Sequence, residues 1–238
     1  PINQIGNAFR DAFKNLELQL AEIFRTIKEN SAKIPEITKN ALTLLANNGW
    51  YLPSMDFSLD LHYELAVELL KGNEKNVDSK LCELIKLEFN ELSERIMNLY
   101  PHRRRILEAA FNAHLNKEFA LSVPVFLSQA DGICKETIGH DLFRKSNDIP
   151  DTAKYVDKFN NDPFMASLLE PFRVALPISY SEKQRRNNNF SLNRHQILHG
   201  EVYDYDTELN SYKSFSFLSY VCSILEMANN NKRVLKTL

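Results

Sequence analysis

The chain has 238 residues, 44% of them hydrophobic and 25% charged, with only six glycines, a balance that fits a packed globular protein and excludes disordered and fibrous classes. That length is enough for a substantial core, as one large domain or two small ones. A net charge of −2 supplies no global field to draw in a polyanion, so any contact with nucleic acid has to rest on local basic patches.

The opening "PINQIGNAFRDAFKNLELQL" is amphipathic and carries acidic residues, unlike a signal or transit peptide. The sequence starts at Pro1 rather than at a methionine, so a trimmed start is expected. Phe9, Phe13, Leu16, Leu20, Ile23, Phe24 and Ile27 recur every three or four positions, which predicts a long first helix with one buried stripe. Pro35 near the start and Gly49 past the end of "IPEITKNALTLLANNG" bracket a second helix. "WYLPSMDFS" reads as an apolar turn, after which Ser58 caps a helix running to Leu70 and closed by Gly72.

Leu81, Ile85, Phe89, Leu92, Ile96 and Leu99 form the stripe of the next helix, which Pro101 ends. Helices are expected over "HRRRILEAAFNAHLNKE" and over "ALSVPVFLSQADGICKETIG", the latter with Pro124 near its beginning. No window alternates with period two, and no Asn-Gly or Asp-Gly pair joins two β-branched runs. The fold class is therefore all-α, a helical bundle. Residues 144–163 are polar, carry two prolines and are expected to form a loop with at most a helical turn. A short helix over "FMASLLEPFRVALPI" is broken near Pro171 and ended by Pro177. Thr207 caps the last helix, whose apolar faces from Phe215 to Met227 require cover on more than one side.

Cys82, Cys134 and Cys222 are odd in number, far apart and set in apolar patterns, which reads as buried free thiols in a reducing compartment. No apolar run approaches the ~20 residues that cross a bilayer, so no membrane is involved and the cytoplasm is the expected location.

The chemistry concentrates in "FSLNRHQILHGEVYDYDTELN", residues 190–210. Ser191 is expected to cap a helix from Leu192 to His199, with Gly200 as its left-handed terminator. Arginine is a permanent cation and histidine as a residue type carries protons near neutrality, so setting Arg194 beside His195 and His199 makes a pairing suited to phosphate chemistry. At 100° per residue the two histidines share a face, whereas Arg194 and His199 lie about 140° apart. One helix therefore does not aim both at one atom unless the substrate wraps around it, the helix end frays at Gly200, or a second subunit contributes, and the geometry predicts a shared site.

Alternative readings pair Arg194 with Glu201 or Asp204, or make His195 and His199 zinc ligands, although no glutamate sits between them at the metalloprotease position. Asp131 either orients a histidine or accepts bonds from backbone or an arginine. Lys183, Arg185 and Arg186, in the polar loop before the motif, are candidates for an RNA track. Tyr203 and Tyr205 either stack bases or pack over the motif helix. "HRRR", residues 102–105, starts a helix, where cations oppose the dipole; phosphate or carboxylate partners would explain it. His62, His102, His114 and His140 are isolated and read as surface or packing residues.

Arg194 to His199 is Arg-x4-His, late in a helical chain. With "NRHQILHG" and the upstream "SVPVFLSQADGI", the stretch of roughly 100–228 resembles the HEPN superfamily (higher eukaryotes and prokaryotes nucleotide-binding), in an uncharacterised bacterial group. The first hundred residues carry no such resemblance. Their apolar periodicity alone makes 1–100 an N-terminal helical region of unknown role, whereas the resemblance implies a HEPN-like domain over 101–238 that acts as a homodimer. It further implies a metal-independent endoribonuclease without cofactor, used as a toxin or in phage defence, with an antitoxin or regulatory partner. His199 would deprotonate a ribose 2′-hydroxyl, Arg194 would bind the scissile phosphate, and His195 would orient it. The products would be a 2′,3′-cyclic phosphate and a 5′-hydroxyl. The alternative is a non-catalytic module that binds nucleic acid or protein.

Overall fold

The computed structural model describes residues 32–185 and 192–237, with side chains through residue 231. The helix expected over residues 9–27, Ser191 and Arg186 lie outside them. The described chain is mostly α-helical. Helix α1 covers residues 32–47, and α2 (Leu59–Leu70), α3 (Glu74–Leu99), α4 (Arg104–Leu115) and α5 (Phe119–Ile138) follow. Two short strands, β1 (Lys145–Ser146) and β2 (Ile149–Pro150), pair antiparallel. Four short helices, α6 (Ala153–Val156), α7 (Pro163–Leu168), α8 (Glu170–Arg173) and α9 (Glu182–Arg185), lead to α10 (Arg194–Leu198) and the long α11 (Glu208–Thr237).

Local chemistry sets the ends of these helices. The Ser58 hydroxyl accepts from the Leu61 amide (3.4 Å) and that of Thr207 from the Asn210 amide (3.1 Å), each satisfying one donor that a helix start leaves free. Gly49 adopts φ +83°, and a Cβ on it would meet Lys213 Cδ at 3.1 Å. The close approach is needed because the Lys213 ammonium reaches Asp78 Oδ1 (3.1 Å) and lies 5.3 Å above the Trp50 ring. Trp50 donates from Nε1 to the same carboxylate oxygen (2.7 Å). The "WYLPSMDFS" turn is thus apolar because Trp50, Tyr51 and Leu52 are buried.

Helix α11 lies at the centre and is buried on every side from Asn210 to Leu225. It packs on α5 and α3, and the Tyr220 hydroxyl donates to the carbonyl of Leu168 (2.6 Å), the last residue of α7. The chain itself therefore supplies the cover that this helix requires. Buried Ser211, Ser214, Ser216, Ser219 and Ser223 keep it slim; two of them return their hydroxyls to carbonyls three residues back, Ser214 to Ser211 and Ser216 to Lys213. One cluster of buried apolar side chains runs from Leu42 to Ala228 and crosses residue 100, where the N-terminal region was expected to end.

Residues 144–163 depart from the expected loop. Asn147 and Asp148 take φ 51° and 63°, the two positive values of a type I′ hairpin turn, which these residue types tolerate better than others with a Cβ. The hairpin was not expected because Asn-Asp replaces the usual Asn-Gly.

Pro124, inside α5, has no N–H to give to the carbonyl four residues back. That carbonyl, on Ala120, instead accepts the Tyr205 hydroxyl (3.1 Å). Tyr205 is therefore an anchor for the segment between α10 and α11. Tyr205→Phe is expected to cost about 1 kcal/mol, seen as a lowered urea midpoint, since Pro124 cannot supply the amide that the Tyr205 hydroxyl replaces.

His114 is buried among rings, stacked on Phe89 (4.6 Å, 20°), and shares a 2.7 Å hydrogen bond between Nδ1 and Ser211 Oγ. Burial lowers its pKa from 6.5 to about 4. At pH above 6.5 the ring is neutral in folded and unfolded chains alike. Below that, the unfolded chain takes up a proton that the folded one refuses until about pH 4, so stability is lost as pH falls through this window. The loss amounts to about 3 kcal/mol. Urea unfolding at pH 7 and pH 4 is expected to show this component in the native chain, and His114→Phe is expected to remove it.

Candidate active site

Helix α10 is five residues long, too short to stand on propensity, so its surroundings define it. Its N-cap is Asn193 rather than the expected Ser191, and the helix begins at Arg194 rather than at Leu192. Asn193 is buried in extended backbone (φ −130°, ψ 120°), and its side-chain oxygen accepts from the Gln196 amide (3.2 Å). Its side-chain nitrogen donates to the carbonyls of Pro177 (2.8 Å) and Tyr180 (3.0 Å). The apolar anchors Leu192 and Ile197 are buried beside it.

Gly200 (φ +70°) ends the helix in two bonds: its own amide donates to the Ile197 carbonyl (3.2 Å), and the Glu201 amide to that of Gln196 (2.8 Å). This is the Schellman pattern, which satisfies free carbonyls at a helix end. The abrupt stop after His199 therefore closes the helix rather than fraying it, and turns Glu201 back onto the helix. Glu201 Oε1 lies 3.2 Å from His195 Nε2, and Oε2 accepts from Arg185 Nη2 (3.1 Å). Arg185 also donates to Asn193 Oδ1 (2.8 Å).

His195 and His199 are both exposed, with ring centroids 4.4 Å apart at 52°. Among the described residues the His199 imidazole has no hydrogen-bond partner. Arg194 faces elsewhere. Its Nη2 lies 3.5 Å from Asp131 Oδ2 on α5, its guanidinium carbon lies 5.1 Å from the Phe143 ring centroid, and its buried Nε has no partner among the described residues. Asp131 also accepts from the Leu142 amide (3.0 Å). Burial raises the Asp131 carboxyl pKa, while the Leu142 amide and then Arg194 pull it down.

Of the two readings open for Asp131, the structure has the bonds from backbone and an arginine rather than the orienting of a histidine, and that arginine is Arg194, which pairs with Asp131 rather than with Glu201 or Asp204. Arg185 is no free member of an RNA track: its side chain is 10% exposed and holds the N-cap and Glu201 in place. Lys183 is exposed, and Tyr203 is 93% exposed. Of the "HRRR" group, His102 and Arg103 grip Glu136 on α5 (3.0 and 2.8 Å), and Arg104 reaches Asn98 (2.8 Å); a Cβ on Gly132 would meet Arg103 Nη1 at 3.0 Å.

The arrangement offers two accessible imidazoles, one backed by a carboxylate, on a helix whose arginine sits on the adjoining face. Among the described residues no group of three or more histidines, cysteines or carboxylates is placed to hold a metal ion, and no helix there is long and apolar enough to cross a membrane. Asn193, Phe143 and the Arg185–Glu201 pair were not singled out from sequence; only Asn193 carried a signal, as a preferred N-cap residue ahead of an apolar helix. No family model, curated protein or solved structure matches the chain.

Proposed function

We propose that the protein is a metal-independent endoribonuclease of the HEPN type, active as a homodimer. The observation that supports this reading is the exposed His195–His199 ring pair at 4.4 Å, with His195 backed by Glu201. Two adjacent imidazoles supply a base and an acid to one reaction. His199 takes the proton of a ribose 2′-hydroxyl, and the 2′-oxygen attacks the adjacent phosphorus. The bond from phosphorus to the 5′-oxygen breaks, and that oxygen receives a proton from His195. A 2′,3′-cyclic phosphate and a 5′-hydroxyl result.

Arg194 neutralises the charge that grows on the phosphate. Its contact with Asp131 is 3.5 Å long and leaves both side chains about a quarter exposed. That contact is at the long end for an ion pair and leaves the guanidinium reachable from solvent, so a phosphate oxygen competes with the carboxylate for it. Exposed Tyr203 is free to stack a base. Toxin action or phage defence is the setting that goes with the resemblance, with an antitoxin or regulatory protein as partner.

The second reading is a non-catalytic module that binds nucleic acid or protein. It draws on Arg194, whose guanidinium is occupied by Asp131 and Phe143 within one chain. The readings separate when the purified protein is incubated with RNA in EDTA. Cleavage to cyclic-phosphate ends, lost in His199→Ala, supports the enzyme; binding without cleavage supports the module.

A further inference from the structure

The β1–β2 hairpin and α6 wall an open pocket of about 490 Å³, lined by Arg144, Lys145, Ser146, Asn147, Asp151 and Lys154 among others. Its one lining carboxylate is already engaged: Asp151 takes the Lys154 ammonium (2.9 Å) and His140 Nδ1 (3.0 Å), the first of which does most to hold its pKa below the usual carboxylate range. Arg144 is 76% exposed, with Asp141 no nearer than 3.8 Å.

Lys145 is the unusual member. Among the described residues it has no carboxylate in ion-pair contact, although Asp148 in the turn exerts a weaker pull. Its ammonium donates to Gln184 Oε1 (2.8 Å) and lies 5.7 Å from the Tyr180 ring centroid. Burial pushes its pKa down. A lysine that gives up water without gaining a counter-ion bears a cost that an incoming anion offsets.

Two short routes tie this pocket to the candidate active site. Gln184, which receives Lys145, belongs to α9 together with Arg185, which grips Asn193 and Glu201. Phe143, next to Arg144 in the chain, lies against the Arg194 guanidinium. Arg144, Lys145, Lys154 and Lys183 spread along the hairpin, α6 and α9, which suits an anion that repeats better than a single carboxylate.

We infer that the hairpin pocket binds a phosphodiester of RNA away from the scissile bond, with Lys145 and Arg144 as its cationic contacts. The identity of the ligand rests on the ribonuclease reading. The test uses the full chain and a fluorescein-labelled 2′-O-methyl oligouridine, which lacks the attacking hydroxyl, with binding followed by anisotropy in EDTA. Lys145→Ala and Arg144→Ala are each expected to weaken binding about tenfold and to reduce the salt slope by ~0.7. Lys145→Arg is expected to retain it, which separates charge from folding.

Binding by Lys145→Ala and Arg144→Ala as tight as that of the native chain overturns the proposal. So does a native chain that fails to bind, or one from which polyglutamate displaces the probe as readily as unlabelled RNA does. Lys145-dependent binding by a protein that cuts no RNA leaves this site standing and removes the ribonuclease reading; cleavage with binding indifferent to both substitutions does the reverse.

Discussion

Replacing Phe215 by alanine is expected to lower the free energy of unfolding by about 3–5 kcal/mol, read as a fall in urea midpoint at unchanged slope. Phe215 is fully buried on α11, and its ring meets Phe89 of α3 at 4.4 Å, Phe126 of α5 at 5.6 Å and Phe111 of α4 at 5.8 Å. Three helices therefore converge on one side chain. Truncating it removes the burial of a large ring and leaves a hole that its walls cannot readily close, because Phe89 is itself held between Phe111 and His114. Phe215→Leu keeps most of the volume and is expected to cost about 1.5 kcal/mol or less. Leu87, on the outer face of α3 and 79% exposed, serves as the comparison. Its alanine variant is expected to stay within ~0.5 kcal/mol of the native chain, and equal losses at Leu87 and Phe215 would contradict the packing described here.

What the sequence made legible follows the range of each interaction. Apolar stripes depend on neighbours three and four residues away, so α3 was readable from Leu81, Ile85, Phe89, Leu92 and Ile96, all of which are buried. Caps are equally local, which is why Ser58 and Thr207 fall where expected. Long-range pairing left no such trace. Arg194 and Asp131 are joined only once α5 and α10 pack, and nothing in the spacing of either residue selects that partner over the nearer Glu201 and Asp204. Arg185 looked like a free cation for the same reason: its partners Asn193 and Glu201 stand at the two ends of α10, and only the turn at Gly200 brings Glu201 back to it. Proline in α5 was legible, but the use of the carbonyl it frees was not, since Tyr205 arrives from 85 residues further along. The hairpin was hidden by composition, because Asn147 and Asp148 adopt left-handed backbone without the glycine that usually signals it.

His199→Ala is expected to reduce RNA cleavage in EDTA by about 10³-fold, within the range that a positioned acid or base contributes. The variant is informative because the His199 side chain is exposed and has no hydrogen-bond partner among the described residues, so its loss is expected to leave the urea midpoint unchanged. Arg194→Ala lacks that clarity, since Arg194 also contacts Asp131 and Phe143 and its removal disturbs α5 as well as any phosphate. The two variants together decide whether the site is shared. In a dimer whose sites each take Arg194 from one chain and His199 from the other, a heterodimer of Arg194→Ala with His199→Ala holds one intact site and one doubly defective site. Mixing the two inactive proteins under conditions that exchange subunits is then expected to restore cleavage, up to half the native rate per heterodimer. If each site lies within a single chain, every site in the mixture lacks one group and activity stays at the level of the separate variants. The roughly 140° between Arg194 and His199 around the helix, with Arg194 turned onto α5 and His199 toward solvent, favours restoration.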